Sequence, residues 1–105
     1  MGLGVDIVDI RRIKEPDRFA EGILSKREFL LYQTKVTKIS FLAGRFAAKE
    51  AFMKAMGRGF SAIAPRQIEV LYRDNNEAPY ILFHDVEYEV SIAHDGDYAI
   101  AVVIT

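Results

Sequence analysis

The chain predicts an α+β fold with a mainly antiparallel sheet, on three observations. It opens on a run rich in Val and Ile, "LGVDIVDI". Its middle, as far as Met56, carries helical spacing, and from Gln67 onward four short alternating segments are separated by turn residues with no strand-helix-strand alternation. At 105 residues the expectation is one domain over residues 1–105, able to bury roughly 60–70 % of its unfolded-chain surface.

The elements follow in order. Leu3 to Ile10 reads as a buried strand ending near Asp9. A helical stretch starts at Ile10 or Arg11 and breaks or restarts at Pro16, because proline fits a first turn and not a helix interior. In "SKREFLLYQ", Ser25 as N-cap with Glu28 three residues on makes a capping box. The polar link "TKVTK" then leads to a long helix from about Ser40 to Met56, which Gly57 can end in a left-handed conformation. Pro65 marks the change to strands. "QIEVLYR", the turn "DNNEAP" and "YILF" read as one hairpin; "VEYEVSIA" and "YAIAVVIT" read as a second around "HDGD", with Asp95-Gly96 as the turn signal.

Composition excludes several classes. Half the residues, 50 %, are hydrophobic, but they never gather into the run of about 18 that spans a bilayer. The start "MGLGVDIVDI" has neither a basic leader nor a cleavage site, and cysteine is absent. A cytoplasmic protein without disulfides or thiolate chemistry is expected. The net charge of −1 conceals an asymmetry: residues 11 to 66 carry 13 Lys or Arg against 5 acids, and residues 67 to 105 carry Arg73 alone against 8 acids. Either the basic middle meets an anionic partner or the two segments neutralise each other in the fold.

The long helix is chemically odd. At about 100° per residue, Leu42, Phe46, Met53 and Met56 share one stripe with Lys49 in its middle, while Gly44, Ala47, Ala48, Ala51 and Ala55 form a small-residue side where another backbone can come close. Glu50 and Lys54 are four apart, as are Arg45 and Lys49. An exposed Glu-Lys pair with Lys49 snorkelling to water is one reading. Asp6 favours another. A carboxylate inside a buried strand, on the side of Gly4, Val8 and Ile10, needs a cation, which a lysine, an arginine or a metal would supply. If the helix packs on this strand, Asp6 and Glu50 can share Mg²⁺, which takes one or two protein carboxylates and completes its shell with water and phosphate. Arg45, Lys49 and Lys54 beside them would suit a pyrophosphate.

Other candidates are weaker. His94, at the mouth of the last hairpin, can face solvent or a ligand. Gly57 and Gly59 can cap the helix or let backbone approach a phosphate. Two histidines, His84 and His94, without cysteine argue against zinc, and no Ser-His-Asp order, phosphate-binding loop or dinucleotide fingerprint is present.

Taken together, "GLGVDIVDIRRI", "FLAGRFAAKEAFMKAMGRGF" and "VSIAHDGDYAIAVVI" resemble the holo-[acyl-carrier-protein] synthases, the short bacterial type of 4′-phosphopantetheinyl transferase, nearly end to end and in the family's order. The resemblance implies that family's α+β fold and an Mg²⁺-dependent transfer of 4′-phosphopantetheine from coenzyme A to a serine of apo-acyl carrier protein, in support of fatty acid biosynthesis. It implies Asp6 and Glu50 as metal ligands, Lys54 near the reacting phosphate, and Arg45, Lys49 and His94 along coenzyme A. It further implies Arg12 and Arg18 as the basic residues that receive the acidic carrier, and a homotrimer with sites between subunits. The serine proton could pass to Glu50, Asp6 or a metal-held water.

The chain also departs from the family's habit. Ala93 stands where serine is common, Glu77-Ala78-Pro79 where Gly-Lys-Pro is usual, and the links at 33–40 and 84–90 are short. Two alternatives remain: a transferase for polyketide or peptide synthetase carriers, and a non-catalytic anion- or nucleic-acid-binding module. Against nucleic acid, the sheet half is acidic, whereas RNA-binding sheets interleave aromatic and basic residues.

Overall fold

A computed structural model describes residues 1–58 and 62–105. Strand β1 (Leu3–Asp9) runs into a single 3₁₀ turn (Ile10–Arg12), followed by helices α1 (Pro16–Ile23), α2 (Lys26–Gln33) and α3 (Lys38–Met56). A second 3₁₀ turn (Pro65–Gln67) introduces β2 (Glu69–Tyr72), β3 (Pro79–Phe83), β4 (Val86–Asp95) and β5 (Tyr98–Ile104). The five strands form one sheet in the order β1-β5-β4-β3-β2, with every neighbouring pair antiparallel. The α+β expectation holds, and the two expected hairpins are parts of one meander closed by β1.

Local chemistry sets the helix boundaries. Ser25 Oγ accepts from Glu28 N at 3.2 Å and Ser25 N donates back to Glu28 Oε1 at 3.0 Å, which completes the capping box. Pro16 opens α1 at its first position, so the expected interrupted helix is a 3₁₀ turn and a separate helix. α3 begins two residues before the expected Ser40 and ends at Gly57, whose φ of 70° is left-handed. Gly59 lies outside the described residues. Tyr32 joins α2 to α1 by donating to Asp17 at 2.6 Å; burial and that bond push its phenol up to about 12.

α3 lies against β1 and β5, and both surfaces are made of small residues. A Cβ placed on Gly4 would sit 1.9 Å from the Ala51 carbonyl oxygen, and one on Gly2 would sit 2.0 Å from that of Ala55. Backbone therefore touches backbone, with Ala99 and Ala101 of β5 fully buried beside them. Toward β3 the gap is filled by larger groups: the Phe52 ring meets Phe83 and Tyr88 at centroid distances of 5.2 and 5.1 Å.

The turns include a hairpin that the sequence reading missed. Phe83 pairs with Val86 across the two-residue loop His84-Asp85, whose φ values of 48° and 63° are those of a type I′ turn. The last hairpin turns at Gly96-Asp97, with Gly96 at φ 55°. Glu77, where the family usually has glycine, also adopts φ 57°, a conformation that costs a non-glycine residue roughly 1–2 kcal/mol. In this chain the links are two residues between β3 and β4, and Thr34–Thr37 between α2 and α3.

Two glycine substitutions should act in opposite directions. Gly4→Ala should lose about 3 kcal/mol or more in urea denaturation, since backbone carbonyls cannot yield as a side chain does. Gly22→Ala, in α1 with nothing within 4 Å of an added Cβ, should gain about 0.5–1 kcal/mol. Equal effects would contradict the close β1–α3 contact.

Candidate active site

Strand alternation turns Asp6 to the inner face of β1, between Gly4 and Val8, and the close contact at Gly4 brings α3 to meet it. Lys54 donates from Nζ to Asp6 Oδ1 at 2.9 Å and to the Val5 carbonyl at 3.1 Å. Glu50 lies one turn earlier on the same edge of α3. Burial pushes its carboxyl above the ordinary range, the negative charge of Asp6 adds to this, and Lys54 and Arg12 oppose it. The hydrogen bond to Asp6, then its charge, holds Lys54 above its usual value. The expected alternative, a plain Glu50-Lys54 helix pair, gives way to an ion pair across elements.

The donor set is two carboxylates. Among the described residues no group of three or more His, Cys, Asp or Glu gathers, so a metal here would take most of its ligands from water and substrate. That suits a hard cation bound to phosphate and does not suit zinc.

A cleft of about 460 Å³ opens near the N-terminal half of α3, lined by Lys35, Phe41, Gly44, Arg45, Tyr72 and His94 among others. Gly44 makes room for the imidazole: an added Cβ would stand 3.1 Å from His94 Nε2. That nitrogen lies 3.0 Å from the Ser40 carbonyl, so the tautomer with hydrogen on Nε2 leaves Nδ1 as an acceptor. The Arg45 guanidinium carbon is 3.9 Å from the centroid of Phe41 and 4.8 Å from that of Tyr72, and Arg45 donates to the Val70 carbonyl at 3.2 Å. Its Nε is buried without a hydrogen-bond partner. Lys35 lies over the same two rings at 5.5 and 5.1 Å. The cleft is therefore cationic and aromatic.

The model of the 4′-phosphopantetheinyl transferase superfamily matches residues 2–103. The chain belongs to that superfamily. It is 41 % identical over 113 residues to the holo-[acyl-carrier-protein] synthase of Anoxybacillus flavithermus, covering 99 % of this chain and 93 % of the relative. To the Bacillus subtilis enzyme of that name it is 40 % identical, covering 98 % and 93 %. Its fold superposes on a holo-(acyl-carrier-protein) synthase from Bacillus anthracis in complex with coenzyme A with a TM-score of 0.85 at 36 % identity, covering 97 % and 92 %. With the Neisseria meningitidis synthase the TM-score is 0.86 at 31 % identity, covering 97 % and 94 %.

Within this superfamily member, one expected site residue has a different position. Lys49 was expected along coenzyme A, but it is fully buried. Its Nζ donates to Glu28 Oε1 at 2.6 Å, to the Ile23 carbonyl at 2.7 Å and to the Pro65 carbonyl at 3.0 Å, so each of its three protons is engaged inside the core. Glu28 answers with Oε2, which accepts from Val70 N at 3.0 Å. Burial lowers the Lys49 pKa and the charge and hydrogen bond of Glu28 raise it. Sequence reasoning missed Glu28, whose only local signal was its capping box. Arg12 and Arg18 lie on the exposed side of the 3₁₀ turn and α1; Arg18 has only a 3.9 Å contact with Glu15.

Removing one member of the buried pair, by Lys49→Met or Glu28→Gln, should cost about 3–5 kcal/mol by denaturant titration; a loss below about 1 kcal/mol would contradict the pairing. The raised Glu50 carboxyl means that the folded chain holds this proton more tightly than the unfolded one. Stability contributed by Glu50 should therefore fall as pH rises from the ordinary carboxylate range through the raised value. In divalent-free buffer at neutral pH, Glu50→Gln should melt above the wild type. The two melting curves should converge in acid, and a constant offset at all pH values would exclude Glu50 as the cause.

Proposed function

We infer that the chain transfers 4′-phosphopantetheine from coenzyme A to a serine of apo-acyl carrier protein, releasing adenosine 3′,5′-bisphosphate. The observation that carries this is the Asp6-Glu50-Lys54 cluster, joined through α3 to the cationic cleft at Arg45 and His94. The relatives' names support it. We assign the nucleotide end of coenzyme A to the cleft, where Lys35 can meet phosphate, His94 Nδ1 can accept a hydrogen bond, Arg45 forms part of the wall, and the rings of Phe41 and Tyr72 offer apolar surface. Because this cleft and Lys54 lie on different edges of α3, we assign the pyrophosphate to a Lys54 cluster that a neighbouring copy supplies.

In the reaction the serine oxygen forms a bond to the phosphorus bearing the pantetheine arm. The bond from that phosphorus to the bridging oxygen breaks, and its electron pair leaves with the nucleotide. Such transfers are limited by charge on the phosphoryl oxygens and the departing group. Lys54, 57 % exposed at its side chain, can reach a phosphate, whereas Asp6 is only 10 % exposed and needs another cation in its place when Lys54 turns away. Asp6 and Glu50 would hold Mg²⁺, and the bound ion supplies positive charge to the pyrophosphate. Glu50, already poised above the ordinary carboxylate range, and Asp6 are the chain's own candidates for taking the serine proton. Arg12 and Arg18 are proposed to receive the acidic carrier. A cytoplasmic setting is part of this reading.

The homotrimer is part of this reading. On the side of the sheet away from α3, the cross-strand pairs Leu3-Ile104, Val5-Val102 and Ile7-Ile100 are all exposed, Leu3 at 71 % and Ile7 at 60 %. Six apolar side chains on one open sheet face are a surface for other copies, and β1 would carry Asp6 to the seam between subunits.

Incubation with apo-carrier, coenzyme A and Mg²⁺ should add one phosphopantetheine by intact mass; wild-type protein that modifies no fatty-acid, polyketide or peptide-synthetase carrier would sink the reading. Asp6→Asn should lower turnover by about 100-fold or more and abolish the rise in melting temperature that Mg²⁺ with coenzyme A gives the wild type. Val5→Glu should convert a trimer to a folded monomer in sedimentation velocity, and an unchanged sedimentation coefficient would remove this face from the interface.

A further inference from the structure

A second concave surface lies on the helical side of the molecule. It is a groove of about 590 Å³ between the end of α1, α2 and the 3₁₀ turn at Pro65–Gln67. Leu24, Phe29 and Leu30 give it an apolar lining, Lys26 and Arg66 supply positive charge, and Glu21 of α1 is its one acid. Leu30 is 66 % exposed, so the core does not use it. Lys26 and Arg66 have no ion-pair partner among the described residues, whereas the neighbouring Arg27 is occupied by Glu69.

The groove is a rigid feature. Lys49 binds the Ile23 carbonyl, Glu28 and the Pro65 carbonyl, and these three groups belong to the three segments that wall it. It also continues the α1 surface assigned above to the carrier. Arg18, Glu21 and Gly22 are three and four apart and share one helix face, and Glu21 itself lines the groove. Eight residues of α1 span only about 12 Å, and a specific protein complex needs roughly 800 Å² per partner. Arg12 and Arg18 alone are too small a surface for a folded protein substrate.

We propose that this groove is a second docking surface for the acyl carrier protein, beyond the contact at Arg12 and Arg18, and seats an apolar residue of an acidic amphipathic segment between Phe29 and Leu30. This rests on the transferase reading above and extends its carrier contact beyond Arg12 and Arg18. Apolar lining beside unpaired cations matches a helix with one apolar stripe and acidic flanks.

The test uses the full chain. Apo-carrier titrated into ¹⁵N-labelled protein without coenzyme A should shift the amides of Lys26–Leu31 and Arg66. Leu30→Glu should raise the KM for carrier about tenfold, the effect expected of one lost anchor. Lys26→Glu should raise it by less, with a salt dependence that vanishes in the variant. In both, the KM for coenzyme A and the melting temperature should stay at wild-type values. A carrier KM unchanged in Leu30→Glu, amide shifts confined to Arg12–Arg18, or shifts that follow protein concentration without carrier would each overturn the proposal. Wild-type protein that binds carrier through the groove yet transfers nothing would overturn the transferase reading instead.

Discussion

The backbone contact between β1 and α3 is the constraint from which the site follows. With glycine at positions 2 and 4 facing the carbonyls of Ala55 and Ala51, strand and helix approach as nearly as two backbones can. Only at that spacing does an aspartate, whose carboxylate lies two bonds from its backbone, reach a lysine and a glutamate on the helix. A conventional interface of Leu and Ile would hold the elements near the usual helix-packing distance of about 8–10 Å and leave Asp6 buried without a cation. Stability and chemistry thus depend on the same small residues, so lost activity in a variant at these positions has to be separated from lost folding.

The charges of α3 divide by angle. Arg45 and Lys49 lie on one edge of the helix and Glu50 and Lys54 about 140° around it. One edge faces α2 and β2, where Arg45 stacks on rings and Lys49 binds Glu28; the other faces β1 and the Asp6 carboxylate. The edges make different environments. Lys49 loses its hydration entirely and is stable as a charge only because Glu28 and two carbonyls replace the water. Lys54 keeps most of its water and can exchange partners.

What was legible in the sequence was local. The capping box at Ser25 and Glu28, the glycine stop at 57 and the final hairpin follow from contacts within a few residues, and all are present. The carboxylate of Asp6 inside a strand was legible as a demand for a cation, and Lys54 meets it. Lys49 was misplaced because its oddity signalled importance without saying of which kind: its partner Glu28 is 21 residues away, and a capping glutamate gives no sign that it has a second acceptor role. The hairpin at His84-Asp85 was missed because left-handed residues there are not the Asn-Gly or Asp-Gly pairs that announce such a turn. The pairing of the first strand with the last is invisible to any local pattern.

That pairing gives the molecule an order of assembly. Asp6 lies opposite Ala101 in the register of β1 with β5, so β1 gains its sheet neighbour from a strand far along the chain. The meander β2-β3-β4-β5 can form by short-range closures, whereas adding β1 requires closing a loop of most of the chain and incurs its entropy only when β5 is available. Until β5 pairs with it, β1 meets α3 but has no neighbour in the sheet. The place of the Asp6 strand in the sheet is therefore among the last features that folding fixes.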